Sequence, residues 1–148
     1  MRNVAIVVSR FNKPITDKLL KGALQALEEN NIPKDNVDVF QAPGAYEIPL
    51  LIKKLYTGGK KYDGLIALGC LIKGETAHFE YISGSVSNMI NEIACEYEIP
   101  IGFGVLTCYT AEQAYERSLD DPINSERNKG YETALAVVEM IELLKKLP

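Results

Sequence analysis

Short apolar runs recur along the chain, and the first covers residues 3–9 with four β-branched side chains. A run that is apolar at almost every position is typical of a strand buried on both faces of a sheet. Residues 62–72 have the same character, and residues 37–42 and 99–107 are further apolar segments. The pattern therefore predicts four strands.

Between these runs, apolar residues are spaced three or four positions apart, as on one face of a helix. The first such segment begins at Pro14, which suits a first helical turn, and Pro33 lies beyond its end. A later segment stops at Gly58-Gly59, a pair that favours a helix end. The predicted helices cover residues 14–31, 46–59, 77–97, 111–118 and 127–147.

Strands and helices alternate four times, which is typical of a parallel sheet with helices on both faces. Right-handed crossovers leave few arrangements of such a sheet. We predict an α/β fold, a flavodoxin-like three-layer sandwich whose four-stranded parallel sheet has the order 2-1-3-4, formed by one domain over residues 1–148. Ligands of such sheets bind beyond the carboxyl ends of the strands. We therefore expect the functional residues in the segments that follow the strands.

The composition fits a folded globular protein and narrows the choice of partners. Hydrophobic residues make up 47% of the 148 residues and charged residues 24%. The net charge is −4 and the basic residues are dispersed, which argues against nucleic-acid binding. No apolar run approaches the roughly 20 residues of a membrane span, and residues 1–11 lack the long apolar segment of a signal peptide. We expect a cytoplasmic protein that binds neither nucleic acid nor membrane.

The cysteines do not form a recognisable metal or disulfide pattern. Cys70, Cys95 and Cys108 are odd in number and far apart, and no CxxC pair exists. The single histidine, His78, cannot complete a common zinc set. The sequence therefore predicts reduced, mostly buried thiols and no bound metal.

The segment KGETAHFE follows the third predicted strand and contains the only histidine of the chain. Gly74 allows the backbone to approach a ligand, and Thr76 is placed to cap the next helix, whose free N–H groups attract phosphate. His78, on the first turn of that helix, is suited to moving protons near neutral pH. The alternative is a partly exposed histidine without a catalytic role.

An aromatic and an acidic residue follow the first two strands. Phe11, in SRFN, could stack on a flat heterocycle, or it could pack against the end of the sheet. Glu47, in PGAYEIP, could accept hydrogen bonds from a hydroxylated chain or a ring N–H. An acidic residue in a first helical turn is also favourable by itself, through the helix dipole. The residues alone leave these alternatives open.

Basic residues gather before the last predicted helix. Arg117, Arg127 and Lys129 could neutralise a phosphate, or they could belong to a solvated loop. Phe103 is by itself more typical of a core position. No P-loop, GxSxG or HExxH motif is present, and GFG at 102–104 is not a dinucleotide fingerprint. No single signal therefore fixes the function.

Five blocks of sequence are more specific together than any one of them is alone. SRFN, PGAYEIP, GCLIKGETAHFEYI, IPIGFGVLT and EQAYER…NKGYETALAVVEM stand in the order and spacing of the 6,7-dimethyl-8-ribityllumazine synthase family. The chain resembles that family over nearly its whole length. The resemblance implies an enzyme that joins 5-amino-6-(D-ribitylamino)uracil to 3,4-dihydroxy-2-butanone 4-phosphate in the penultimate step of riboflavin biosynthesis, with loss of phosphate and water. It also implies that no metal or redox cofactor is needed.

The resemblance assigns roles to individual residues. His78 matches the proton-transfer residue, and Phe11 matches the aromatic that stacks on the pyrimidine ring. Further positions match the pyrimidine and ribityl contacts (Ala45, Tyr46, Glu47), the backbone contacts beside the ring (Cys70, Leu71, Ile72) and the phosphate-binding turn (Glu75, Thr76). The neighbouring subunit is expected to offer Phe103 beside the ring and Arg117 at the phosphate. Lys129 resembles a basic residue near the phosphate.

One segment departs from the family pattern. Many members join the arginine of ER to NKG through a short AGTKAG-like link, whereas this chain has the longer SLDDPINSE followed by Arg127. The usual Thr-Lys is missing, so Arg127 is the residue to replace its phosphate contacts. The family forms pentamers with sites between subunits, and some members pack pentamers into an icosahedral shell. Added bulk in this link would obstruct contacts between pentamers, so the resemblance implies a free pentamer.

Two other functions share some of these features. A non-catalytic relative that binds a flavin or lumazine would keep Phe11 and the ring pocket, but it would not need His78 together with a phosphate site. A flavodoxin-type electron carrier should have a phosphate loop rich in Ser, Thr and Gly after the first strand, which SRFNKPIT does not resemble. The presence of His78, Thr76 and Arg117 favours the enzyme.

Overall fold

The computed structural model describes residues 2–148, in which strands and helices alternate as the sequence predicts. The strands are β1 Val4–Ser9, β2 Val37–Ala42, β3 Gly64–Ile72 and β4 Ile101–Cys108. The helices are α1 Lys13–Glu29, α2 Ile48–Thr57, α3 His78–Tyr97, α4 Ala111–Glu116 and α5 Lys129–Lys146. Short 3₁₀ turns at Lys34–Asn36 and Ala45–Glu47 precede β2 and α2.

All four strands are parallel and form one sheet in the order β2-β1-β3-β4, which confirms the predicted topology. Val4 of β1 pairs with Val37 of β2 on one side and with Gly64 of β3 on the other. Leu65 of β3 pairs with Ile101 of β4. The carboxyl ends of the two central strands, β1 and β3, therefore lie next to each other.

Helices cover both faces of the sheet, which explains why β1 is apolar at almost every position. Val4, Ile6 and Val8 belong to a core shared with α1 and α5. Ala5 and Val7 belong to a second core, shared with α2 and α3. All five side chains are at most 3% exposed. The predicted three-layer α/β sandwich is confirmed.

The ends of several elements differ from the predictions by one or two residues, for local reasons. Helix α1 ends at Glu29, shortly before Asn31, which adopts the left-handed conformation with φ 65°. Helix α2 begins at Ile48 rather than at position 46 because a 3₁₀ turn precedes it. Helix α5 begins at Lys129 rather than at position 127 because the side chain of Asn128 caps it.

Candidate active site

Two clefts open near the carboxyl ends of the strands, and twelve of the thirteen predicted site residues line one or the other. The first cleft, of about 760 Å³, lies where β1 and β3 end and where α2 and α3 begin. Nine predicted residues line it: Phe11, Ala45, Tyr46, Glu47, Cys70, Leu71, Ile72, Thr76 and His78. The second cleft, of about 650 Å³, lies beside β4 and the start of α5, and Phe103, Arg117 and Lys129 line it.

Phe11 is presented to the first cleft because the chain turns sharply after β1. Asn12 adopts the left-handed conformation, with φ 61°, which Asn tolerates better than most residues. Its Nδ2 donates a hydrogen bond of 2.9 Å to the carbonyl oxygen of Cys70, which ties this turn to β3. Phe11 is 66% exposed, so its ring is available for stacking and is not packed into the end of the sheet. Sequence reasoning missed Asn12, although it stands in the SRFN block.

The 3₁₀ turn over Ala45–Glu47 forms another wall of the first cleft. Ala45 is buried, whereas Tyr46 is 63% exposed. Glu47 is half-buried at the N-cap position of α2, and a Cβ added to Gly44 would lie 3.3 Å from its Oε1. Glu47 therefore lines the cleft and also stands at the positive end of a helix dipole, so both interpretations of this residue fit its position.

His78 is the first residue of α3, and it is exposed at the first cleft. The prediction that Thr76 caps this helix is wrong, because Ala77 occupies the N-cap position. The Thr76 hydroxyl instead accepts a long hydrogen bond of 3.4 Å from the N–H of His78. The turn brings a hydroxyl, an imidazole and the free N–H groups of a helix start to one edge of the cleft.

Part of the wall of the first cleft was not predicted from the sequence. Phe79, Tyr81 and Ile82 also line it, all from the first two turns of α3. An apolar stripe at helical spacing shows which side of a helix faces inward. It does not show which turns extend beyond the end of the sheet, so the sequence carried no signal for these residues.

Cys70 lines the first cleft, but its thiol is unsuited to chemistry. Burial, with a smaller contribution from Cys108, raises the pKa of the Cys70 thiol to about 12. The thiol therefore stays protonated and is a poor nucleophile. Cys70 and Cys108 are buried as predicted, whereas Cys95 is exposed. A contribution of Cys70 through its main chain, as the family pattern implies, fits this environment.

The second cleft carries the cations. Arg117 follows the last turn of α4, and its Nη1 donates a hydrogen bond of 3.1 Å to the carbonyl oxygen of Gln113. Lys129 begins α5, with its Nζ 3.4 Å from Oε1 of Glu132. Phe103 of β4 adds an aromatic side chain that is 37% exposed. Ion pairs at a surface are weak, so an anion could displace Glu132 from Lys129 at little cost.

Arg127 also lines the second cleft, but its guanidinium group is engaged by its own loop. Its Nε donates to the carbonyl oxygen of Pro122 and its Nη2 to that of Asp121, both at 3.2 Å. These bonds direct the Nε and Nη2 edge of the guanidinium towards the loop backbone. They do not support the expectation that Arg127 replaces the phosphate contacts of the missing Thr-Lys.

The two clefts share no lining residue, although they meet at one pair of aromatic side chains. Phe79 of the first cleft and Tyr109 of the second are in contact, with ring centroids 6.4 Å apart. Glu75 is exposed in the turn before α3 and lines neither cleft. His78 and the cations therefore face different openings of the same chain.

Two kinds of feature are absent from residues 2–148. No helix in this range is long and apolar enough to cross a membrane. No three side chains of His, Cys, Asp or Glu in this range come together as a possible metal site.

Comparison with known protein families adds the deciding observation. The sequence model of the family described as 6,7-dimethyl-8-ribityllumazine synthase matches residues 2–145. This chain belongs to the 6,7-dimethyl-8-ribityllumazine synthase family. Membership confirms the resemblance seen in the sequence blocks, and it identifies an enzyme of the lumazine synthase type, which works in riboflavin biosynthesis. Both clefts lie within the matched range, and the flavodoxin-type electron carrier is set aside.

Proposed function

We propose that this lumazine synthase condenses 5-amino-6-(D-ribitylamino)uracil with 3,4-dihydroxy-2-butanone 4-phosphate to 6,7-dimethyl-8-ribityllumazine, releasing phosphate and water. The observation that carries the proposal is the division of the chain into an apolar cleft with a histidine and a separate cleft with cations. The first suits a flat heterocycle and the second suits a phosphate ester. The reaction is proposed to take place in the cytoplasm, without a metal or a redox cofactor.

The first cleft is proposed to bind the ribitylaminouracil. The exposed ring of Phe11 offers a face for stacking on the pyrimidine. The main chain of Cys70, Leu71 and Ile72 offers hydrogen-bonding groups beside the ring, because β3 ends there. The half-buried carboxylate of Glu47 is an acceptor for ribityl hydroxyls or a ring N–H.

The phosphate ester is proposed to lie between the second cleft and the turn before α3. Arg117 and Lys129 supply positive charge, and Arg117 offers the paired donors that match phosphate oxygens. Glu75 and Thr76 belong to the turn whose following helix presents free N–H groups. Neither group alone surrounds a phosphate, so we expect both to contribute.

In the proposed reaction, the amine attached to the uracil ring attacks the ketone carbonyl, and loss of water leaves an imine. Proton transfers then expel inorganic phosphate. Loss of phosphate leaves an enol, which tautomerises to a new carbonyl at the carbon that carried the hydroxyl. The ribityl-bearing nitrogen closes the second ring on that carbonyl, again with loss of water. His78, exposed at the edge of the first cleft, is the group proposed to move these protons. Holding both substrates together supplies much of the remaining acceleration.

A complete site is proposed to form between adjacent subunits of a pentamer. Within one chain, His78 lines the first cleft and the cations line the second, which supports a site that a neighbouring subunit completes. The loop between α4 and α5 is long and is held together by Arg127, which supports a free pentamer and not a shell. Light scattering should give a particle near five times the 16.4 kDa of one chain. A shell-sized particle would refute the free pentamer.

The test of the activity is a metal-free assay with the two proposed substrates. Absorbance of the lumazine and release of inorganic phosphate are followed together, with EDTA present throughout. Formation of both products in equal amounts supports the proposal. Tight binding of lumazine or riboflavin without turnover would instead support the non-catalytic binding protein.

A further inference from the structure

Asn128 is a buried residue at the base of the loop that joins α4 and α5. It is 1% exposed, and its side chain joins three separate segments of main chain. Its Nδ2 donates to the carbonyl oxygen of Lys18 in α1 at 3.0 Å and to that of Leu119 at 3.1 Å. Its Oδ1 accepts a hydrogen bond of 3.0 Å from the N–H of Tyr131, which caps α5. The carboxamide thus uses both donors and its acceptor on the backbone.

Two glycines make this arrangement possible. A Cβ added to Gly22 of α1 would lie 2.2 Å from Oδ1 of Asn128. A Cβ added to Gly130 would lie 2.0 Å from the carbonyl oxygen of Leu19. Real Cβ atoms do not approach that closely, so only glycine at both positions lets α1 and α5 meet around Asn128.

The same residue fixes the cations of the second cleft. Ser118 and Asn128 form an antiparallel bridge that closes the base of the loop. Beside this bridge, the N–H of Lys129 donates to the carbonyl oxygen of Arg117 at 2.8 Å. Arg117 and Lys129 are therefore neighbours across a short hydrogen-bonded ladder, and Asn128 attaches that ladder to α1.

The loop has hydrogen bonds of its own, and its second half is also bonded to the base, because the carbonyl oxygen of Asn124 accepts from the N–H of Asn128 at 3.0 Å. Arg127 bonds the carbonyl oxygens of Asp121 and Pro122. Asn124 accepts hydrogen bonds through its Oδ1 from the N–H groups of Glu126 and Arg127. One contact to the rest of the chain, Lys21 to Asp120 at 3.4 Å, is on the surface. Ser125 and Glu126 also line the second cleft, whereas residues 120–123 neither line it nor bond Asn128, so residues 120–123 form an outer segment whose length need not alter the base.

We propose that Asn128 is the positioning residue of the anion-binding half of the site, and that the outer loop, residues 120–123, is dispensable for phosphate binding. Asn128 sets where Arg117 and Lys129 stand relative to each other and to α1. The longer link of this chain is accommodated outside the ladder, which leaves both cations in place. The inference rests on the proposed function, because it takes the second cleft to bind the phosphate ester.

The first test is Asn128→Asp. The new carboxylate keeps an oxygen for the cap of α5, but it faces the carbonyl oxygens of Lys18 and Leu119 without a proton to donate. KM for the butanone phosphate should rise about 10- to 100-fold, because small misplacements of binding groups are costly. KM for the ribitylaminouracil should stay within about twofold of wild type. A rise of equal size in both constants, or no rise at all, overturns the inference.

The pH dependence of KM in Asn128→Asp distinguishes the loss of a hydrogen-bond donor from a general loss of stability. Burial raises the pKa of a carboxyl group, and a protonated carboxyl can again donate to one of the two carbonyls. The KM of Asn128→Asp for the butanone phosphate, divided by that of wild type, should therefore decrease when the pH is lowered from about 8 to about 5.5. Asn124→Asp, the same change elsewhere in the loop, should leave KM unchanged at both pH values. If Asn128→Asp fails to fold, Asn128→Ser, which keeps a capping hydroxyl but no donor pair, replaces it.

A second variant tests the other half of the proposal. Replacing residues 120–123 by a short Gly-Ser linker should leave KM for the butanone phosphate within about twofold of wild type. A large rise in that KM would show that the outer loop binds or positions phosphate, and the inference would be wrong. Arg117→Ala is measured in parallel. If Arg117→Ala leaves KM for the butanone phosphate unchanged, the proposed role of the second cleft fails. If Arg117→Ala raises this KM and Asn128→Asp does not, only the proposed role of Asn128 fails.

Discussion

The first and second clefts differ in how their functional groups are held. Strand ends and helix starts build the first cleft, so the rigid sheet fixes its main-chain groups and its aromatic ring. The second cleft takes Arg117 from the end of α4 and Lys129 from the start of α5, and the ladder at the base of the loop between these helices pairs the two residues and attaches them to α1. A loop must add its own hydrogen bonds to reach the order that a strand end has from its neighbours.

The two clefts also differ in chemistry. The first is mainly apolar, with one histidine and one carboxylate, and the second holds Arg117 and Lys129. Substitutions in the first should therefore affect proton transfer and ring binding, and substitutions in the second should affect the phosphate ester.

The largest effect is expected for His78→Ala. A positioned general acid or base contributes about 10²- to 10⁴-fold, so kcat should fall by at least about 10²-fold while substrate alignment keeps the reaction above the uncatalysed rate. Steady-state rates measured by lumazine absorbance check this. Wild-type-like rates would remove His78 from the mechanism.

Arg117→Ala should raise KM for the butanone phosphate about 10- to 100-fold, because a hydrogen bond to a charged group contributes about 1.5–3 kcal/mol. KM for the ribitylaminouracil should stay close to the wild-type value. Arg117→Lys keeps the charge but loses the paired donors, so its KM for the butanone phosphate should lie between the values for wild type and for Arg117→Ala. Equal changes for both substrates would contradict the separation of the clefts.

Phe11→Leu should affect KM for the ribitylaminouracil and not KM for the butanone phosphate, and the effect should be smaller than that of Arg117→Ala. Aromatic contacts add about 0.5–1.5 kcal/mol beyond area burial, so KM for the ribitylaminouracil should rise about 2- to 10-fold. Phe11→Tyr keeps the ring and serves as the control. Isothermal titration with the product lumazine checks the same loss directly, and an unchanged affinity would show that Phe11 does not stack.

The smallest effect is expected outside both clefts, at Tyr62→Phe. The Tyr62 hydroxyl donates to Oδ2 of Asp38 at 2.7 Å, and burial followed by this bond raises the pKa of Tyr62 to about 12. Because the pKa of Tyr62 is raised on folding, its contribution to the free energy of unfolding is fully present below about pH 10, the ordinary pKa of tyrosine. That contribution is lost as the pH rises to about 12. In urea unfolding, the free energy of unfolding of wild type should exceed that of Tyr62→Phe by about 1 kcal/mol at pH 8, and this difference should shrink above about pH 10. Neither KM should move.

The sheet was predictable because its strands carry their own signal. A strand buried on both faces must be apolar at almost every position, as Val4 to Val8 are, and right-handed crossovers restrict the strand order. Phe11 and His78 were predictable as site residues because they stand in motifs directly after strands. Their exposure at one cleft followed from the parallel sheet.

The supporting contacts were not predictable, because they join residues that are distant in sequence. Asn12 bonds Cys70 across 58 positions, and Asn128 bonds Lys18 across 110. No local pattern reports such pairs. Thr76 was expected at a cap that Ala77 occupies, since one residue of shift in a turn is invisible to spacing rules. Arg127 was expected at the phosphate, but the loop backbone engages its donors.

The central claim is that the first cleft of one subunit and the second cleft of its neighbour make one active site. Mixed oligomers of His78→Ala and Arg117→Ala chains, refolded together in equal amounts, test it most directly. Random assembly should give about a quarter of the sites both an intact first cleft and an intact second cleft, so with the butanone phosphate well below its wild-type KM the activity should recover to about a quarter of wild type. Activity no greater than the average of the two single variants would contradict the shared site.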